Sequence, residues 1–126
     1  MKRLWIGILV LSVLCASGSL VAFAMGRCHS PISRDLSLAA HAATEGDLPQ
    51  GTRYAEKALE QWLRYRDLTA ALADHAVIEQ IDALFAEIRI YAATQDAAAF
   101  AAVCAHLSEL TKAVAESHHP KWQNLL

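Results

Sequence analysis

Apolar positions along this chain fall first into one long block and then into spacings of three and four. The block covers residues 4–25, where the thiol of Cys15 is the one ionisable side chain. As a helix rising about 1.5 Å per residue it reaches roughly 30 Å, the thickness of a hydrocarbon core. It predicts a membrane-targeting segment over residues 1–25, opened by Lys2 and Arg3.

Beyond it, the spacing changes to that of amphipathic helices. Gly26 to Pro31 reads as a hinge over 26–31, with Ser30 and Pro31 suited to a helix start. A first outer helix is expected over about 32–45, with a weak stripe of Leu36, Ala39, Ala40 and Ala43. The run Gly46-Asp47-Leu48-Pro49-Gln50-Gly51 reads as a loop. Thr52 then caps a second helix over about 53–73, with Ala55, Leu59, Trp62, Leu63, Thr69 and Leu72 inward. Asp74 reads as the cap of a third helix, which carries the cleanest stripe: Ile78, Ile81, Leu84, Phe85, Ile88, Tyr91 and Ala92. Gln95-Asp96 breaks it. A last helix over about 97–117 turns Phe100, Val103, Cys104, Leu107, Leu110 and Val114 inward, and Pro120 ends it.

The expected fold is therefore all-α. An N-terminal transmembrane helix precedes a small four-helix domain of two antiparallel helical hairpins, tetratricopeptide-like or bundle-like, over 32–119, with a C-terminal tail over 120–126. The two hairpins have the look of distant copies. Each carries an acidic turn, Gly46-Asp47 in one and Gln95-Asp96 in the other, though a repeat superhelix normally needs at least three units.

Composition narrows the function. The chain of 126 residues has a net charge of −2. Setting Lys2 and Arg3 aside with the anchor leaves nine Lys/Arg against 13 Asp/Glu. This mildly acidic remainder argues against nucleic acid as a partner and against a polybasic lipid-binding role. The apolar start is read as a retained signal anchor, because Leu20, Val21, Phe23 and Met25 carry the apolar character past Leu14. The alternative is a secreted protein, cut at Ala22-Phe23-Ala24 or Ala16-Ser17-Gly18. Lys2 and Arg3 place the amino end in the cytoplasm and residues 26–126 outside it, as a single-pass protein of the cell membrane.

Candidate chemistry is sparse. His75 and Glu79 lie one turn apart, with Asp82 a turn further on, and such groups can hold a divalent metal. The competing and preferred reading makes Asp74 a cap, His75 a local hydrogen-bonding group in a tight connection, and Glu79 and Asp82 a solvated face. His41 and Glu45 repeat the four-residue spacing on a helix surface. His118 and His119 sit at a helix end, where positive charge is favoured. No cofactor is implied. Cys28 and Cys104 show neither a CxxC nor a zinc-type spacing, and their separation in sequence does not decide whether they pair. There is no G-x-S-x-G and no glycine-rich phosphate loop. Glu56 and Glu60, beside Arg53, Lys57 and Arg64, read as a solvated helix face. Tyr54, Trp62, Tyr65 and Phe85 could line a groove, but such spacing serves a helical core more often.

Several local features also resemble one family. The MKRLWIGI start, Glu45-Gly46-Asp47 followed by Ala55, Ala58, Leu59 and Trp62, Asp74-His75 followed by Ile78 and Ile81, and the closing PKWQNLL are similar, in order and spacing, to the domain-of-unknown-function 4363 family of small bacterial membrane-anchored proteins. The resemblance covers nearly the full length. The chain departs from it in its richness in alanine and in Pro49-Gln50-Gly51 within the turn. What the resemblance implies is architecture and location, not a reaction. The expectation is a non-enzymatic interaction module or accessory subunit of a membrane complex, with a protein partner. The alternative is an extracytoplasmic ligand- or metal-sensing domain using His75 and neighbouring carboxylates.

Overall fold

The computed structural model describes residues 1–117 and, within them, all side chains except those of residues 21–30, 72 and 117. The expected helix end at Pro120, the tail over 120–126 and the His118-His119 pair lie outside the described residues, as does the side chain of Cys28. Among the described residues there are four helices and no strand: α1 (Lys2–Thr44), α2 (Leu48–Leu72), α3 (His75–Ala93) and α4 (Ala97–Ser117).

The hinge expected over 26–31 is not there. α1 is a single helix of 43 residues that takes Pro31 into its interior and joins the apolar segment to the first outer helix without a break. A proline removes one backbone donor, and a glycine costs about 1 kcal/mol in a helix. Long helical flanks on both sides outweigh those local penalties, because helix propagation is cooperative. The flank after Pro31 is held by packing: Ile32, Leu36, Ala39 and Ala43 are buried on one stripe. At the other end of α1 every side chain from Met1 to Leu20 is exposed. This part of the helix is long and apolar enough to cross a membrane.

α1 turns into α2 through three residues. Gly46, at φ +86°, occupies the left-handed position just past the helix end. Its N–H donates to the Ala43 carbonyl at 3.2 Å and the Asp47 N–H donates to the Ala42 carbonyl at 2.9 Å, a Schellman closure. Asp47 then caps α2, its Oδ1 accepting from the Gln50 N–H at 3.1 Å. The loop expected over 46–51 is thus mostly helix. Pro49 sits in the first turn of α2, where its missing N–H has no helical partner to lose. Thr52, expected as the cap, instead donates its hydroxyl to the Leu48 carbonyl at 2.9 Å.

The turn from α3 to α4 repeats this construction with different residues. Gln95 takes the left-handed position at φ 59°. The Gln95 and Asp96 N–H groups donate to the carbonyls of Ala92 at 3.4 Å and Tyr91 at 3.0 Å. Asp96 Oδ1 accepts from the Ala99 N–H at 3.1 Å. Between the two turns, Asp74 caps α3 by accepting from the Ala76 N–H at 3.1 Å, as its sequence position predicts.

The second half of α1 makes the largest interfaces, with α4 and with α2; α3 packs on α4 and, more thinly, on α2. Trp62, Ile81, Phe85, Phe100 and Leu107 are buried together in one core. Leu63, expected inward, is exposed, because the buried face of α2 passes through Ala55, Ala58, Trp62 and Thr69. Small residues bring the backbones close. A Cβ on Gly51 would lie 2.9 Å from the Ala39 carbonyl oxygen and 3.2 Å from Phe100 Cε1. That approach of α2 to α1, with α4 behind it, explains why the inner stripe of α1 changes from Ile32 and Leu36 to Ala39 and Ala43 opposite Gly51.

Candidate functional site

The thin α2–α3 interface divides into a closed part and an open part. The closed part is organised by Asp82. One carboxylate oxygen, Oδ2, accepts from Arg66 Nε at 3.0 Å and Nη2 at 2.7 Å. The other, Oδ1, accepts from the indole N–H of buried Trp62 at 2.8 Å. Burial pushes the Asp82 carboxyl up, but the hydrogen bonds from Arg66 and Trp62, with the Arg66 charge, outweigh it and hold the group below its ordinary value. The same contacts raise Arg66. Asp82 is therefore not part of a solvated face, as the sequence reading had it. It links α3 to α2.

Moving along the same interface, α2 and α3 part to form a groove of about 450 Å³. Ala55, Leu59, Ile88, Ala92 and Phe100 give it apolar walls, and Thr52, Glu56 and Arg89 bring polar groups to it. It lies where α2 and α3 both carry small side chains, Ala55 and Ala92, beside buried Phe100. Of the four aromatics considered for a groove, none lines it. Trp62 and Phe85 are buried in the core, Tyr54 is half-buried and Tyr65 is exposed. Periodicity identified Phe100 as inward but not as a groove floor.

The metal candidates separate. His75 and Glu79 are exposed on the first turns of α3. His75 makes no side-chain hydrogen bond to a described residue, so the local bond expected of it is absent, while Asp82, a turn further on, is engaged by α2. His41 and Glu45 are likewise exposed. Among the described residues no group of three or more His, Cys, Asp or Glu is placed to hold a metal ion. Cys104 is buried, and burial pushes its thiol up to about 12, so it is protonated at neutral pH. Glu60 and Arg64 form an exposed pair at 3.0 Å, as their four-residue spacing predicts.

Two buried polar contacts were missed by the sequence reading. Asp35 is 1% exposed and accepts from Gln61 Nε2 at 2.9 Å, tying α1 to α2. Gln61 Oε1 is buried without a hydrogen-bond partner among the described residues. Ser33 and Ser108, both buried, bond each other between α1 and α4. The signal was present: Ser33, Asp35 and Ser108 lie in phase with Ile32, Leu36, Cys104 and Leu107. Weighting polar residues as exposed concealed them.

No curated protein and no solved structure matches this chain. The family model for a domain of unknown function (DUF4363) matches residues 25–125, which takes in all of the helical domain described above, and the chain belongs to that family.

Proposed function

We propose that the chain is a single-pass, membrane-anchored interaction module without enzymatic activity, built as a four-helix domain of two hairpins on a retained signal anchor. The observation that carries this reading is the groove between α2 and α3, on a domain whose buried Ser33, Asp35 and Ser108 hold helices together. Its apolar walls, with Glu56 and Arg89 beside them, suit the apolar face of a partner helix. The matching turns at Gly46-Asp47 and Gln95-Asp96 support the two-hairpin description. Lys2 and Arg3 favour a cytoplasmic amino end, with residues 26–126 on the other side as part of a cell-membrane protein.

A photo-activatable residue placed at Leu59 or Ala92 in the full chain, in its native membrane, tests the groove. It should cross-link to one defined protein, whereas the same residue at exposed Lys112 should not. Equal cross-linking from both faces rejects the groove as the docking site. A reporter active only in the cytoplasm, fused after Leu126, should be silent; strong activity reverses the orientation. The mass of the mature chain tests retention, since a product beginning near Ser19 or Met25 is a secreted protein instead.

A further inference from the structure

We propose that the groove between α2 and α3 takes a partner helix whose two flanks carry opposite charge. Its basic flank lies on Glu56 and its acidic flank on Arg89, which fixes the direction in which it docks. This deepens, and rests on, the reading of the groove as a helix-docking site.

The apolar surface continues beyond the groove. Thr52, Glu56 and Leu59 line its α2 wall. The next spacing of four on that face reaches Leu63, which is 60% exposed. On α3, Ala86 and Ala93 stand three and four residues either side of Arg89, and all three are exposed. Trp62 bonds Asp82, while earlier on α2 Ala55 shares the groove with Ala92, so the two helices run antiparallel. Equal steps from the Trp62–Asp82 bond put Glu56 across from Ile88 and Arg89. From Thr52 to Leu63 the strip runs about 16 Å, the length of about three turns of a docked helix.

Glu56 and Arg89 decide what can lie there. They stand at one height on opposite walls. Among the described residues neither makes an ion pair or a side-chain hydrogen bond, whereas Glu60 pairs with Arg64 and Arg66 with Asp82. A helix that covers the strip takes water from both groups, and a charge left unpaired there weakens the complex. A purely apolar helix, such as another membrane span, is penalised at both walls. A uniformly basic helix suits Glu56 and repels Arg89, and a uniformly acidic one does the reverse. A helix with opposite flanks satisfies both. Turning it end for end in the groove exchanges its flanks, so one direction pairs both charges and the other opposes both.

The probe is a synthetic helical peptide of about 18 residues, long enough to form helix in water. It has a leucine stripe, lysines along one flank, glutamates along the other and a nitroxide at its amino end. The full chain is held in nanodiscs. Trifluoromethylphenylalanine replaces either Asp67, toward the Leu63 end of the strip, or Thr94, toward the Ala92 end; both positions are exposed. The bound nitroxide should broaden the fluorine resonance at one of these positions and spare the other. Glu56→Arg and Arg89→Glu should each weaken binding about tenfold, because either one puts like charges on both walls. The two together should restore binding and move the broadening to the opposite end. Single variants that bind as tightly as wild type overturn the charge assignment and leave the groove as a docking site. So does equal broadening at both ends in the wild type. Broadening at neither end overturns the docking reading itself. Two chains in one nanodisc that separate on Arg89→Glu also overturn the proposal, because the groove then belongs to a second copy.

Discussion

Ser33 on α1 and Ser108 on α4 clasp each other across the largest helix interface of the domain. Ser33 Oγ donates to the Ser108 carbonyl at 3.1 Å, and Ser108 Oγ donates to the Ser33 carbonyl at 2.9 Å. The two hydroxyl oxygens are 3.1 Å apart. Hydroxyls that bond the opposite backbone require the two helices to lie close, so this pair sets both the register and the spacing of α1 against α4.

Ser108→Ala should therefore cost about 1 kcal/mol, the net worth of a lost hydrogen bond. Ser108→Leu should cost more, about 1–3 kcal/mol beyond that, because the longer side chain must push α1 away. Thermal unfolding of the full chain in detergent micelles measures both. A leucine variant as stable as the alanine variant would show that the spacing is not constrained here.

Gly51 is the second close approach. Alanine has the better helix propensity, by about 1 kcal/mol, so Gly51→Ala would stabilise an isolated α2. In the domain, the new methyl would meet the Ala39 carbonyl at 2.9 Å, and backbone cannot rotate away. The expected result is a net destabilisation of about 1–3 kcal/mol. An increase in melting temperature would mean that α1 and α2 separate freely.

The Asp82 link predicts an acid limb in the stability curve. Its carboxyl lies below the ordinary value in the folded chain, so the stabilisation is fully present above the unfolded-state value, about 4. It is lost as pH falls through the lower, folded value. Its side chain is 36% exposed, and solvent screening keeps the effect modest. Wild type should exceed Asp82→Asn in stability at pH 7, and the gap should narrow as pH drops below about 4. A gap that stays constant down to pH 2 would show that charge is not its source. Trp62→Phe, which removes only the indole donor and some ring area, should lower stability at pH 7 by about 1 kcal/mol or somewhat more.

Gln95 holds a left-handed conformation that glycine fills at the matching turn, Gly46. Gln95→Gly should relieve that strain and stabilise the domain by about 0.5–1 kcal/mol, after the entropic cost of glycine. Gly46→Gln should destabilise by a comparable amount. The pair of melting temperatures, moving in opposite directions, checks that the two turns are equivalent.

Features encoded within a few residues were legible before the structure. The uncharged run of 4–25, the stripe from Ile78 to Ile88, the Asp74 cap and the turns at Gly46-Asp47 and Gln95-Asp96 all depend on local spacing or local backbone chemistry. Their signals are therefore written in consecutive residues. Features that depend on what lies opposite were not. Gly26 and Pro31 look like a hinge until Ile32, Leu36 and Ala39 are packed against α2 and α4, which holds the helix through them. Asp82 looks solvated until Arg66 and Trp62, 16 and 20 residues away, reach it. Ser33 and Ser108 are 75 residues apart, and no window of sequence contains both. Sequence by itself determined the helices, the apolar part of their inward faces apart from Leu63, and a start long and apolar enough to cross a membrane. Tertiary structure decided which polar groups are buried, where α2 and α3 part into a groove, and the joining of the apolar start and the domain in one helix. Polar partners and close approaches are chosen by packing between distant segments, which periodicity cannot report.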